Sequence, residues 1–150
     1  MSFTLPATFP IVGLPLVAAF CLSGWQSSTA MKYRKAAGIK YPTLYATEAE
    51  ANADPKVYKF NCAQRAHGNT LENIPYVLAL FGYISIFHPV YASANMMIWI
   101  IGRVGYTTGY CTGNPQNRLN KLALTSYIGL LGLFLGAAYL SVSKTYAYYF

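Results

Sequence analysis

The chain has 150 residues; 55% are hydrophobic, only 10% are charged, and 14 Tyr, 8 Phe and 2 Trp supply the aromatic content. That balance excludes a disordered segment, which needs low hydrophobicity and high charge. It also speaks against a water-facing globular domain, whose surface wants about 25–35% charged residues. The net charge of +7, from 11 Lys and Arg against 4 Asp and Glu, would point to nucleic acid in a soluble protein. In a chain this apolar it records membrane topology, and no nucleic-acid partner is expected.

The charges divide the chain. Residues 1–31, 73–102 and 122–143 contain no Lys, Arg, Asp or Glu. A bilayer crossing needs about 20 mostly apolar residues. The pattern predicts an all-α, integral membrane four-helix bundle in a single domain over 1–150, with spans near 9–30, 70–88, 91–111 and 121–142. Pro10 and Pro15 interrupt the start of the first span, which membrane helices tolerate better than soluble ones. No positive n-region precedes it, so a cleaved signal peptide is not expected. His88-Pro89-Val90-Tyr91 makes a tight connection, so the second and third spans should form an antiparallel hairpin. Gly113-Asn114-Pro115 breaks the chain before the fourth.

The stretch 32–65 holds Lys32, Arg34, Lys35, Lys40, Lys56, Lys59 and Arg65, and Arg118 and Lys121 precede the fourth span. By the positive-inside rule both basic loops are cytosolic, and both termini lie on the opposite side with Lys144. Glu48, Glu50 and Asp54 read as residues of a solvated first loop. Tyr146, Tyr148, Tyr149 and Phe150 read as an interfacial aromatic anchor.

The informative residues break the apolar pattern. Arg65, Asn69 and Glu72 recur at i, i+4 and i+7, on one helical face. Arg103, Tyr106 and Tyr110 recur at i, i+3 and i+7. Arg103 lies about 10 Å in from Tyr110 at 1.5 Å per residue, so it should face the protein interior or a wet cavity. Span order places Arg34, Arg65, Tyr110 and Arg118 at the cytosolic membrane face. They are expected to form one cationic, aromatic-lined pocket. Glu72 can pair with Arg65 or Arg103, so a structural network is one reading. Four arginines against one carboxylate leave a positive surplus, which favours an anionic ligand.

His67 is a possible acid, base or hydrogen-bond donor. No metal-ligand spacing, Ser/His/Asp arrangement, P-loop or G-x-G-x-x-G motif is present. Cys21, Cys62 and Cys111 define neither a disulfide framework nor a zinc site. Cys62 and Cys111 read either as reactive thiols near the cytosolic boundary or as ordinary buried ones.

The segment F-N-C-A-Q-R-A-H-G-N-T-L-E at 60–72 resembles the MAPEG superfamily, the membrane-associated proteins in eicosanoid and glutathione metabolism. Its R-A-x-x-N-x-x-E core is the hallmark, and G-R-V-G-Y-T-T-G-Y-C-T-G at 102–113 is similar to the family's third-helix motif. The resemblance covers roughly residues 30–140. It implies a homotrimer of four-helix subunits in an intracellular membrane: the endoplasmic reticulum first, the mitochondrial outer membrane next. It implies glutathione as co-substrate, bound at each subunit interface and reached from the cytosol.

Carried over by position, Arg65, Asn69 and Glu72 match glutathione-binding residues of the second helix. Tyr106 and Tyr110 match tyrosines that contact the tripeptide, and Arg34 matches a basic residue after the first helix. Arg103 matches a deep supporting arginine. Arg118, across a one-residue gap, matches the arginine that activates the thiol. His67 stands where the leukotriene synthase branch has Gln, and Asn73 where it has Tyr.

The residue chemistry fits that ligand. Guanidinium groups pair carboxylates in bidentate geometry, so Arg34 and Arg65 suit the two carboxylates of glutathione. Glu72 suits its ammonium. A free thiol has a pKa of about 8.5, and a fixed positive charge such as Arg118 favours its ionised form. The expected activity is a glutathione transferase and peroxidase acting on lipophilic electrophiles or lipid hydroperoxides, which would enter from the lipid side. Leukotriene C4 synthase-like activity falls in the same class. The alternatives are a non-catalytic lipid- or partner-binding membrane protein and an accessory subunit of a larger membrane complex.

Overall fold

The computed structural model describes residues 4–150, and among them there is no strand. A 3-10 turn, Phe9–Val12, runs into α1, Gly13–Ala37. A short α2, Glu48–Ala53, is followed almost at once by α3, Pro55–Ser85. A tight turn leads to α4, Pro89–Tyr110. A second 3-10 turn, Pro115–Leu119, leads to α5, Lys121–Tyr149.

Each boundary has a local cause. Gly38 ends α1 in the left-handed region at φ 68°, where a residue without Cβ carries no steric cost, and its N–H returns to the helix carbonyls. Thr47 and Glu50 form a reciprocal capping box that starts α2. The Asp54 carboxylate accepts the Lys56 N–H at 2.7 Å, and Pro55 takes the first helical position of α3, where its missing N–H is harmless. Pro89 does the same for α4. Asn120 caps α5 by accepting the Ala123 N–H at 3.0 Å.

These caps change the expected picture of the stretch 32–65. It is mostly helix, not open loop: α1 continues to Ala37, Glu48 and Glu50 belong to α2, and α3 begins at Pro55 rather than near residue 70. The irregular part is confined to 38–47, which contains a cis Tyr41–Pro42 bond. Arg65, Asn69 and Glu72 therefore sit in the middle of a helix. The aromatic residues at 146–149 continue α5.

The four long helices pack along their lengths. Val77, Phe81 and Ile84 of α3, Met96 and Trp99 of α4, and Leu133 of α5 form the central core. The α4–α5 contact brings backbones together: a Cβ on Gly102 would stand 2.1 Å from the Ser126 nitrogen, and one on Gly129 2.5 Å from the Asn95 carbonyl oxygen. Small residues at such positions are how helices associate where the hydrophobic effect gives little drive. Two helices are long and apolar enough to cross a membrane, Phe9–Ala37 and Lys121–Tyr149. They present large apolar side chains outward; Phe20 is 80% exposed and Val142 71%. α3 and α4 carry Asn69, Glu72, Asn73 and Arg103, which dilute their apolar character.

Candidate functional site

The helical period of α3 separates its polar residues onto two faces. Arg65, Asn69, Glu72 and Tyr76 recur at four- and three-residue steps and share one face; His67 lies 200° around the axis from Arg65. On the first face Arg65 Nη1 donates to Glu72 Oε1 at 2.5 Å, and both side chains are about half exposed, at 46% and 54%. The bond to Glu72 holds the Arg65 pKa above its ordinary value. Asn69 Nδ2 also donates to Glu72, at 3.4 Å.

Arg103 approaches this face from α4. It is 5% exposed, and its guanidinium is shared between two α3 side chains. Nη2 donates to Asn69 Oδ1 at 2.9 Å, and Nε and Nη2 donate to Thr70 Oγ1 at 3.0 and 2.9 Å. The Tyr106 ring lies 4.1 Å from its guanidinium carbon. Arg103 thus does not meet Glu72; it fixes Asn69, which in turn steadies Glu72.

Sequence reading missed the support beneath Arg103. Gln26 of α1, 1% exposed, donates through Nε2 to Thr70 Oγ1 at 2.9 Å and to Thr107 Oγ1 at 2.7 Å. The signal was present: Gln26 is an amide in an otherwise uncharged apolar segment, where a polar group needs an internal partner.

The aromatic wall continues toward the end of α4. Tyr106 and Tyr110 make an edge-to-face pair with centroids 5.4 Å apart. Arg118, in the second 3-10 turn, places its guanidinium carbon 5.6 Å from the Tyr110 ring, while Nη1 donates to the Pro115 carbonyl at 3.0 Å. Between Arg65 and Tyr110 opens a cavity of about 470 Å³, also lined by Tyr45, Asn61 and Cys62. Asn61 fastens the 38–47 segment over it, exchanging hydrogen bonds with the Ala46 backbone at 3.0 and 2.9 Å. Burial pushes the Cys62 thiol above its ordinary pKa, so it stays protonated at neutral pH. That favours the ordinary buried thiol over the reactive one at this position.

Arg34 and His67 do not join this cavity. The Arg34 guanidinium lies between the Tyr41 and Phe60 rings, 4.5 and 4.6 Å from their centroids, and Nη1 donates to the Thr43 carbonyl at 2.7 Å. Arg34, His67 and Gln64 line a second cavity of about 270 Å³. The single expected pocket is therefore two within one chain, because α3 presents Arg65 and His67 to opposite sides. Burial holds the His67 pKa below the usual histidine value.

Farther along the Arg65 face, an apolar groove of about 490 Å³ runs between α3 and α5. It is lined by Tyr76, Leu80, Tyr127, Leu130, Leu131 and Phe134. Tyr76 and Tyr127 lie within electrostatic reach of Arg103, so the groove adjoins the polar site.

Two apolar helices of membrane-crossing length, with a charged and aromatic site built on the helices between them, place the chain in the class of helical membrane proteins. Residues 12–139 match the model of the MAPEG family, and the chain belongs to that family. The family includes glutathione transferases, peroxidases and leukotriene C4 synthase, and family membership together with the two apolar helices marks this as a membrane protein.

Proposed function

We propose that the protein is a membrane-bound glutathione transferase and peroxidase, a homotrimer of four-helix bundles with its basic ends in the cytosol. The observation that carries this reading is the grouping of Arg65, Asn69, Glu72, Tyr106, Tyr110 and Arg118 around one face. Within the family, the F-N-C-x-Q-R-A-H-x-N-T-L-E pattern and the K-Y-P-T-L-Y stretch at 40–45 resemble the microsomal glutathione S-transferase 3 branch. That resemblance favours the endoplasmic reticulum.

In this reading Arg65 exchanges part of its pairing with Glu72 for a glutathione carboxylate. Glu72, half exposed, accepts the ammonium. Tyr106 and Tyr110 flank the peptide. The Arg118 guanidinium supplies positive charge that lowers the free energy of the thiolate beside it. The thiolate then attacks an electrophile whose apolar body occupies the α3–α5 groove.

The separation of Arg34 and His67 from Arg65 supports a shared site. Both faces of α3 carry ligand-competent groups, and a second copy laid against the first would bring the Arg34 face of one chain to the Arg65 face of the other. A symmetric oligomer closes such a contact around a ring.

The test is glutathione titration of the purified, detergent-solubilised protein at neutral pH, followed by thiolate absorbance in the ultraviolet. A saturable signal that Arg118→Ala abolishes supports the enzyme. Binding without thiolate would favour the lipid- or ligand-holding reading, for which the apolar groove already provides room. No binding would favour an accessory structural role.

A further inference from the structure

Arg118 sits on the Pro115–Leu119 turn, none of whose residues is buried. Apolar contacts therefore do little to hold the turn, and its place is set by hydrogen bonds and by how closely backbone meets backbone. Arg118 Nη1 donates to the Pro115 carbonyl, and Asn117 Nδ2 donates to Thr112 Oγ1, both at 3.0 Å. These bonds shape the turn locally. Two other residues dock it on α4.

The first is Asn120. Its Oδ1 accepts the Ala123 N–H at 3.0 Å and so caps α5. That cap fixes the orientation of the amide and aims Nδ2 the other way. Nδ2 donates to the Gly105 carbonyl of α4 at 2.8 Å and to the Asn117 carbonyl of the turn at 3.0 Å. One side chain thus joins α4, the turn and α5. The second residue is Gly109. A Cβ there would stand 2.1 Å from the Asn117 carbonyl oxygen and 2.7 Å from Asn120 Nδ2. The turn backbone lies directly on α4 at this point because the helix has no side chain there. Gly109 precedes Tyr110, whose ring centroid is 5.6 Å from the Arg118 guanidinium carbon.

We infer that Asn120 and Gly109 are positioning residues: they seat the turn on α4 and so hold the Arg118 charge against the Tyr110 wall, where the glutathione sulfur gives up its proton to solvent. Neither touches the reacting atoms. The inference rests on the glutathione reading above, in which Arg118 activates the thiol. A fixed charge stabilises a thiolate in inverse proportion to its distance, and most strongly where water is excluded. A turn that drifts from α4 keeps its arginine but loses the ionisation.

The experiment uses the full chain in detergent, with Asn120→Ser and Gly109→Ala made separately. Serine retains the cap on α5 but is too short to reach the Gly105 and Asn117 carbonyls. The alanine methyl pushes the turn off α4 while every polar group of Asn120 remains. The two variants disturb the turn independently, so a failure to fold in one leaves the other as the test. Thiolate absorbance of bound glutathione is titrated from about pH 5 to 10, beside equilibrium binding. In each variant the pKa of the bound thiol is expected to rise by about one unit, up to a tenfold loss of thiolate at neutral pH. Kd at the acid end, where the thiol keeps its proton, should change by less than about threefold. In an Arg118→Ala background neither substitution should shift the titration further, since both act through Arg118.

An unaltered titration curve in either folded variant removes that residue from the device, and in both it overturns the inference and leaves the glutathione reading intact. A further shift in the Arg118→Ala background puts the effect elsewhere and overturns it equally. No thiolate in the unsubstituted protein overturns the glutathione reading itself, and this inference with it.

Discussion

Two arginines near the same end of the helices, Arg34 and Arg65, carry the same charge and meet opposite fates. Arg34 is 7% exposed, held between two aromatic rings and bonded to a backbone carbonyl. Arg65 is about half exposed, and its bond to Glu72 is the only ion pair among the described residues. Exposure and the kind of partner decide which cation is free to change partners. A carboxylate pair near the surface is worth little, so a ligand carboxylate can replace it at small cost. A guanidinium buried between rings holds the chain around it, here the 38–47 segment. Within one chain Arg34 is a structural residue; in the proposed oligomer it becomes a ligand group where a second copy approaches its cavity.

The largest expected effect falls outside both arginines and sharpens the contrast between holding and activating. Arg118→Ala should lower kcat by about 100-fold, the size seen when one group that stabilises developing charge is removed. Glutathione affinity should change little, because the carboxylate and ammonium contacts are assigned to Arg34, Arg65 and Glu72. Stopped-flow thiolate absorbance beside equilibrium binding separates the two. Equal losses in kcat and affinity would make Arg118 a binding group.

Arg65→Ala comes next. Loss of a charge-assisted contact predicts a 10- to 100-fold weaker Kd, from about 1.5–3 kcal/mol. Turnover at saturating glutathione should fall far less. Calorimetric titration in detergent reads the affinity, and an unchanged Kd would remove Arg65 from the site.

The proposed sharing of the site predicts a partial rescue. When Arg34→Ala and Arg65→Ala chains are coexpressed, about one in three interfaces of each mixed three-membered ring carries both native arginines. Binding capacity should then exceed that of either variant alone, measured on mixed oligomers isolated through two different tags. If capacity in the mixture never rises above that of the single variants, each site lies within one chain.

The sequence revealed the faces but not their separation. Regular spacing placed Arg65, Asn69 and Glu72 together, and the structure puts them in contact because helical period is a local property. The depth of Arg103 was also legible, since a charge in an apolar segment must find internal partners. Its actual partners were not. Glu72 was the obvious candidate by charge, yet α4 meets α3 at Asn69 and Thr70, a consequence of how closely the helices pack. Gln26 went unread for a related reason: one amide in a long apolar stretch gains meaning only when Thr70 and Thr107 stand opposite. The early start of α3 was written in Asp54-Pro55, a cap and a first-turn proline. The charges at Lys56, Lys59 and Arg65 concealed it, because hydropathy reports where a bilayer could be and not where a helix begins.

His67 tests the quieter side of the comparison, and its expected effect is the smallest. It shares the Arg34 cavity, and burial lowers its pKa below the usual value, so the imidazole is neutral from pH 7 upward. Below that range protonation would add a second positive charge beside Arg34, and burial opposes it. A neutral imidazole and a neutral amide can each donate and accept. His67→Gln should therefore alter glutathione affinity by less than about threefold at pH 7.5, within the range of a marginal hydrogen-bond difference. Affinity measured from pH 6.5 to 8.5 should follow the same curve in both proteins. A step near pH 6.5 that disappears in His67→Gln would show that the imidazole is charged in the working range, and that the Arg34 cavity takes up an anion through two cations instead of one.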